Sequence, residues 1–140
     1  MNGPCLEIAR KYDIHAATDI TGFGFLGHLH EMSKASGLKA QTYAKSLPLL
    51  PEVLKCAEQG FVPAAAYANR KTYESVCQIS SSVDLALTDL MFDPQSSGGL
   101  MFALPNSEVN SLINDLHAAK WTAAKVGEFH RGESGHIEVL

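Results

Sequence analysis

A carboxylate, two hydroxyls and three glycines lie within ten residues near the start of the chain. Asp19 stands between Thr18 and Thr21, and the glycines follow at positions 22, 24 and 27. A carboxylate oxygen can hold Mg²⁺, glycines allow the backbone to approach closely, and a helix N-terminus favours anions. The stretch is therefore a candidate site for a metal–phosphate complex. The alternatives are that Asp19 or Thr21 caps a helix and that the glycines form a tight turn.

A second candidate is the loop over residues 93–99, whose sequence is DPQSSGG. Its two hydroxyls, two glycines and backbone N–H groups can bind an anion. The alternative is a tight turn that leads into a core strand, and the sequence alone favours this alternative.

The histidines and cysteines form no recognisable ligand set. His28 and His30 are two positions apart on a predicted helix, so they point in different directions and cannot chelate one ion. Asp13 and His15 share a strand face, but two groups do not make a site. Each histidine is therefore expected to be solvated or hydrogen-bonded. Each cysteine is expected to be a buried, inert thiol.

The composition is that of one soluble domain with a core. The chain has 140 residues, of which 46% are hydrophobic and 19% are charged. The net charge of −4 argues against binding to nucleic acid or to an anionic membrane. Three widely separated cysteines predict reduced thiols in a cytoplasmic protein. We find neither a signal-peptide pattern nor an apolar run as long as a membrane span.

The elements around the first candidate stretch are a strand over 14–20 and a helix that ends at Gly37. The apolar face of this helix is predicted to be core and its other face polar. The apolar face holds Phe25, Leu26, Leu29 and Met32, and the polar face holds His28, His30, Glu31 and Lys34.

The same patterns predict the other elements. The predicted helices are 5–12, 50–57 with Pro51 in its first turn and Gly60 after its end, and 109–116 capped by Asn106 or Ser107. The predicted strands are 38–43, 100–104, 123–129 and 136–140, the last two joined by a turn at 131–135. The less regular segments are a loop at 61–70 that runs into a helix near Tyr73, a connection at 78–82, and 85–92, which fits helix or strand. This order predicts an α+β fold, a mixed β-sheet covered by helices.

The two candidate stretches together resemble one enzyme family. ATDITGFGFLGH at 17–28, followed by DPQSSGGL at 93–100, is similar to the C-terminal domain of selenide, water dikinase (selenophosphate synthetase). The similarity extends over nearly the whole chain, including Gly37, Gly60, Asn69, the Leu-Pro pair at 47–48 and 126–128. Related synthetases and kinases share the fold and a Thr-Asp element, but not this second loop. Ser96 stands where the family would have Thr, and it keeps the hydroxyl.

The resemblance implies the C-terminal domain fold of the aminoimidazole ribonucleotide synthetase-like superfamily and a reaction. Selenide, ATP and water would give selenophosphate, AMP and phosphate, with Mg²⁺. It also implies that Asp19 binds Mg²⁺ on the ATP phosphates, together with aspartates of an N-terminal domain. The full-length enzyme would be a cytoplasmic homodimer that pairs through that other domain.

The resemblance also implies what residues 1–140 lack. In this family the N-terminal domain carries the glycine-rich lid, the catalytic cysteine or selenocysteine with its lysine, and most nucleotide contacts. We therefore expect a single C-terminal domain that has no catalytic residue of its own and is inactive alone; Cys5 is not that nucleophile. The alternatives are a non-catalytic lid or docking domain, and a synthetase or kinase of the same superfamily with another substrate.

Overall fold

The structure, a computed structural model, describes residues 3–140. Helices and strands alternate along most of this part of the chain. The helices are α1 (Gly3–Ala9), α2 (Gly24–Ala35), α3 (Val53–Glu58), α4 (Ala64–Tyr73), α5 (Leu85–Phe92) and α6 (Asn106–Ala118). The strands are β1 (Ala16–Asp19), β2 (Lys39–Thr42), β3 (Cys77–Ile79), β4 (Leu100–Ala103), β5 (Gly127–His130) and β6 (Ile137–Val139).

The strands form two sheets, and the predicted α+β class is confirmed. β1 and β4 make an antiparallel pair, and the other sheet has the order β3-β6-β2-β5. The larger sheet is mixed, because β2 is parallel to β6 and antiparallel to β5. Among the helices of residues 3–140, none combines the length and the apolar character that crossing a bilayer requires.

The two closing strands are present, but they are not neighbours in the sheet. β5 and β6 lie on opposite sides of β2 and do not pair with each other. The loop between them contains the predicted turn at 131–135, with the His136 amide donating to the Glu133 carbonyl over 3.1 Å, and it lies beside the end of β2. It is held there because the Gly135 amide donates to the Leu38 carbonyl over 3.0 Å and the Ser134 hydroxyl donates to the Lys34 carbonyl over 3.2 Å.

Helix α2 is the centre of the main core. It packs against α4 and α5 and against β1, β2 and β6. Its predicted apolar face is buried, and Gly37, with φ +66°, follows its end as predicted. The prediction of a polar face is wrong at His28, which is only 7% exposed. Because these helices and strands pack against it, α2 has little surface that faces solvent.

Two predicted helix boundaries are wrong. The helix near Tyr73 is present as α4, but it begins at Ala64, within the predicted loop at 61–70, because Pro63 fixes the backbone before a run of alanines, which are strong helix formers. The helix predicted at 50–57 begins only at Val53, because Glu52 has a left-handed backbone with φ 64°. Leu50 stays outside the helix and is 75% exposed.

Three further segments either resolve a prediction that was left open or correct one that was wrong. Residues 85–92, which fitted helix or strand, are helical in α5. Part of the predicted connection at 78–82 belongs to β3, which pairs with β6 at the edge of the larger sheet. Neither predicted residue caps α6, because Pro105 holds the cap position and Asn106 lies inside the first turn. The Asn106 side chain instead accepts a hydrogen bond from Lys125 over 3.0 Å.

Candidate functional site

Asp19 is the last residue of β1, at the edge of the two-stranded sheet. It lies opposite Leu100 of β4, and its side chain is exposed. Its carboxylate takes part in none of the side-chain hydrogen bonds or ion pairs formed within residues 3–140. An exposed carboxylate without a protein partner is available to a ligand from solvent.

The structure brings the two candidate stretches together. The Ile20 amide donates to the Gly99 carbonyl over 3.0 Å, and the Gly98 amide donates back to the Ile20 carbonyl over 3.1 Å. One residue further on, the Gln95 amide donates to the Thr21 carbonyl over 3.0 Å. The pairing of β1 with β4 therefore continues into the loops, and the loop at 93–99 fixes the backbone on either side of Ile20.

Glycines at this junction allow close approach of one loop to the other. Gly24 has φ +71°, and a Cβ there would lie 2.8 Å from the carbonyl carbon and oxygen of Phe92. A Cβ at Gly98 would lie 2.6 Å from the Ile20 carbonyl oxygen. The neighbouring backbone leaves no room for a side chain at either position. This supports the alternative that these two glycines form a tight turn. Gly22 and Gly99 have no atom within 4 Å of an added Cβ and border open space.

Asn69 of α4 connects the same two stretches through its side chain. Its amide nitrogen donates to the Gly22 carbonyl and to the Phe92 carbonyl, each over 2.9 Å. Periodicity did not reveal this role, because the segment was predicted to be a loop. The only signal in the sequence was the occurrence of Asn69 in the family resemblance.

Replacement of Asn69 by Asp is expected to lower the free energy of unfolding by roughly 1–3 kcal/mol. The substitution keeps the shape but removes both donors, which leaves two backbone carbonyls facing a carboxylate. Urea unfolding followed by circular dichroism measures the change. Asn110→Asp, at an exposed position of α6, is the control. Equal stability of the two variants would show that the Asn69 bonds contribute nothing.

His28 is hydrogen-bonded, as expected, but it is not solvated. Its Nε2 lies 3.1 Å from the Thr21 hydroxyl oxygen, and its Nδ1 lies 3.1 Å from a carboxylate oxygen of Glu31. The ring of Phe23 covers it, with 5.4 Å between ring centroids. His30 is directed elsewhere, with its Nδ1 2.8 Å from the Gly135 carbonyl oxygen. The prediction that the two histidines do not chelate together is consistent with this geometry.

Asp93 makes the second loop a poor anion site. One of its carboxylate oxygens accepts a hydrogen bond from the Gln95 side chain, and the other is buried and accepts none from residues 3–140. Burial raises the pKa of Asp93, against the lowering effect of the Gln95 hydrogen bond. A carboxylate at the first position of the loop opposes the approach of an anion to its amides. The geometry therefore favours the structural alternative for residues 93–99.

The remaining candidates do not form sites. Asp13 and His15 are an exposed pair, 3.2 Å apart. All three cysteines are free thiols; Cys5 and Cys77 are half-buried, whereas Cys56 is exposed, contrary to expectation. Burial raises the pKa of the Cys77 thiol to about 12 and also raises that of Cys5, so neither is poised as a thiolate nucleophile.

The residues present suit a shared magnesium site rather than a complete one. Within residues 3–140 there is no group of three or more histidine, cysteine, aspartate or glutamate side chains placed to hold a metal ion. Mg²⁺ commonly keeps several waters and takes one or two carboxylates together with substrate phosphates. The exposed Asp19 carboxylate fits the part of one such ligand.

Sequence comparison identifies relatives of this chain. Residues 2–139 match the family described as AIR synthase related protein, C-terminal domain. Selenide, water dikinase from Agathobacter rectalis is 40% identical over 129 residues, which are 92% of this chain and 37% of that protein. The enzyme of the same name from Treponema denticola is 43% identical, over 85% of this chain and 33% of its own length. The chain thus spans about a third of these relatives.

Solved structures support the same fold. HypE from E. coli, a hydrogenase maturation protein, has a TM-score of 0.60 at 19% identity, over 97% of this chain and 35% of its own. AaThiL, solved in complex with AMPPCP and TMP, has a TM-score of 0.55 at 15% identity, over 97% of this chain and 33% of its own. The resemblance carried by the two loops is confirmed. The chain belongs to the AIR synthase related protein family and carries its C-terminal domain.

Proposed function

We propose that this domain is part of an ATP-dependent phosphotransferase that makes selenophosphate from selenide, ATP and water. Two relatives with about 40% identity over most of the chain bear the name selenide, water dikinase. Because the chain spans about a third of their length, this activity belongs to a longer protein. An N-terminal domain would supply the nucleophile and the other metal ligands. We place that enzyme in the cytoplasm, as a homodimer that pairs through the N-terminal domain.

The observation that carries the proposal is the exposed carboxylate of Asp19 beside the second family loop. The hydrogen bonds of Ile20 to Gly98 and Gly99 fix the backbone next to Asp19. A carboxylate held in this way can bind a cation without first losing a protein partner. When bound, Mg²⁺ would neutralise charge on the ATP phosphates during phosphoryl transfer. The role of Asp19 is to hold and orient that ion.

ATP as the substrate is supported by a solved protein that shares this fold and by the names of the sequence relatives. AaThiL shares the fold and was solved with AMPPCP, an ATP analogue. Dikinases and kinases transfer phosphoryl groups from nucleotides. The main alternative is a lid or docking domain that takes no part in chemistry.

The 140-residue chain alone is expected to form no AMP from ATP and selenide. One carboxylate with Mg²⁺ makes only a partial site, so Mg–ATP should bind with a dissociation constant of about 1 mM or weaker. Calorimetric titration measures the affinity, and chromatography of the nucleotides measures turnover. The Asp19→Asn chain is the control. Micromolar binding that survives this substitution would mean that the nucleotide site lies elsewhere on the domain.

A further inference from the structure

The contacts of the Asn69 side chain allow it only one orientation. Its nitrogen lies 2.9 Å from the carbonyl oxygen of Gly22 and 2.9 Å from that of Phe92. A carbonyl oxygen can only accept, so the carboxamide nitrogen, which carries two hydrogens, must face both of them. Both donors of Asn69 are therefore used, and one side chain binds two segments of the backbone.

The two carbonyls belong to segment 20–23, which joins Asp19 to α2, and to the end of α5. Phe92 is the last residue of α5 and is fully buried. Its carbonyl is one of those that a helix leaves without an internal partner. The two segments are in close contact, because a Cβ at Gly24 would lie 2.8 Å from the Phe92 carbonyl. Asn69 therefore holds them together where they meet.

Three successive carbonyls of segment 20–23 accept hydrogen bonds. Those of Ile20 and Thr21 accept from backbone amides of the second loop. That of Gly22 accepts from the Asn69 side chain instead. Gly22 has no side chain of its own to pack, and glycine loses more conformational freedom on ordering than any other residue. The order of Gly22 therefore depends on Asn69 more than the order of its two predecessors does.

Helix α4 gives Asn69 a fixed support. The guanidinium of the next residue, Arg70, lies 3.1 Å from a carboxylate oxygen of Asp89 in α5. The Asp89 side chain is only 11% exposed, so its charge depends on this partner. Consecutive residues of α4 thus bind α5 at its end and about one turn earlier. This double attachment restrains the position of α4, and of Asn69 with it, against α5.

We propose that Asn69 is a positioning residue for Asp19 and that it raises the affinity of the Asp19 carboxylate for its cation. The inference deepens the proposed function and rests on it, because the cation is the one assigned there to Asp19. Asn69 acts through the backbone, since it keeps segment 20–23 ordered before the cation binds. Without its two hydrogen bonds, at least one residue would have to become ordered on binding, which corresponds to a loss of roughly tenfold in affinity.

The first measurement is the order of segment 20–23, from ¹⁵N relaxation of its backbone amides. In the unaltered chain we expect order parameters of about 0.85, as in rigid backbone. Asn69→Leu keeps a similar shape, removes both donors and adds no charge, and it should lower the value at Gly22 to below about 0.6. An unchanged value after this substitution would overturn the inference. A value below about 0.6 in the unaltered chain would also overturn it, and that result requires no variant to fold.

The second measurement is the affinity of the chain for Mn²⁺, from paramagnetic broadening of amide signals near residue 19. Asn69→Leu should weaken Mn²⁺ binding roughly tenfold. The control is Leu112→Val, which removes a buried methylene from the hydrophobic cluster between α1 and α6 and so lowers stability without altering segment 20–23. It should leave the affinity unchanged. Both variants are measured at a temperature at which circular dichroism shows them to be folded.

The possible failures differ in their signatures. If Asp19→Asn abolishes the broadening while Asn69→Leu leaves it unchanged, the inference fails and the proposed cation role of Asp19 stands. If Asp19→Asn leaves the broadening unchanged, the cation role of Asp19 fails and the inference fails with it. If Leu112→Val weakens Mn²⁺ binding as much as Asn69→Leu does, the effect comes from general stability, and Asn69 is not a positioning residue.

Discussion

Replacement of Asp19 by Asn, in the two-domain enzyme that we propose, is expected to lower selenide-dependent AMP formation by roughly 10²–10³-fold. A bound metal ion supplies several kcal/mol of charge stabilisation in the transition state, and the amide is a much weaker ligand than the carboxylate. Asp19 is exposed and pairs with no side chain of residues 3–140, so its replacement should leave the fold intact. Initial rates across a range of Mg²⁺ concentrations measure the effect.

The control for this experiment is Asp13→Asn. Asp13 is also exposed and precedes β1, so the substitution removes the same charge from the same region. We expect its rate to stay near that of the unaltered enzyme, and excess Mg²⁺ to recover part of the activity of the Asp19 variant. Full activity after Asp19→Asn would remove this residue from the mechanism.

Replacement of Gly24 by Ala is expected to lower the free energy of unfolding by roughly 2–5 kcal/mol. Two costs add at this position. A left-handed backbone with a Cβ costs about 1–2 kcal/mol, and overpacking costs about 1–3 kcal/mol. The added Cβ would lie 2.8 Å from the backbone of Phe92, which cannot rotate out of the way as a flexible side chain can. Urea unfolding measures the loss.

Gly37→Ala separates these two costs. Gly37 has a similar φ of +66°, but a Cβ there meets no atom within 4 Å. Only the backbone cost should appear, about 1–2 kcal/mol. Equal destabilisation by the two substitutions would show that the contact between Gly24 and Phe92 is not tight.

The sequence correctly predicted the elements whose residue pattern follows directly from burial in the core or exposure to solvent. The apolar repeat of α2 predicted its buried face, and Gly37 predicted where the helix ends. His28 was assigned to the wrong side because a polar residue on a helix is expected to face water. In the structure, polar partners on the same helix and on the preceding loop satisfy it instead. Periodicity carries no information about such pairs.

The sequence could not reveal how the parts of the candidate site meet. Asp19 was singled out from its neighbours and from the family resemblance, and the resemblance paired its stretch with the loop at 93–99. The hydrogen bonds between them are made by backbone, which leaves no trace in residue types. Asn69 completes the junction from a segment predicted to be a loop. The close approach of Gly24 and Gly98 had a signal in the glycines themselves, and Asn69 had one in the family resemblance.

The antiparallel pairing of β1 with β4 has a consequence for the order in which the molecule forms. Asp19 and Leu100 are opposite each other, yet most of the domain lies between them along the chain. Closing so long a loop lowers the conformational entropy of the chain before the contacts between β1 and β4 can stabilise it. Local contacts within the intervening helices shorten this loop, so we expect them to form before β1 pairs with β4. We therefore expect the edge of β1 that carries Asp19 to become ordered late in folding.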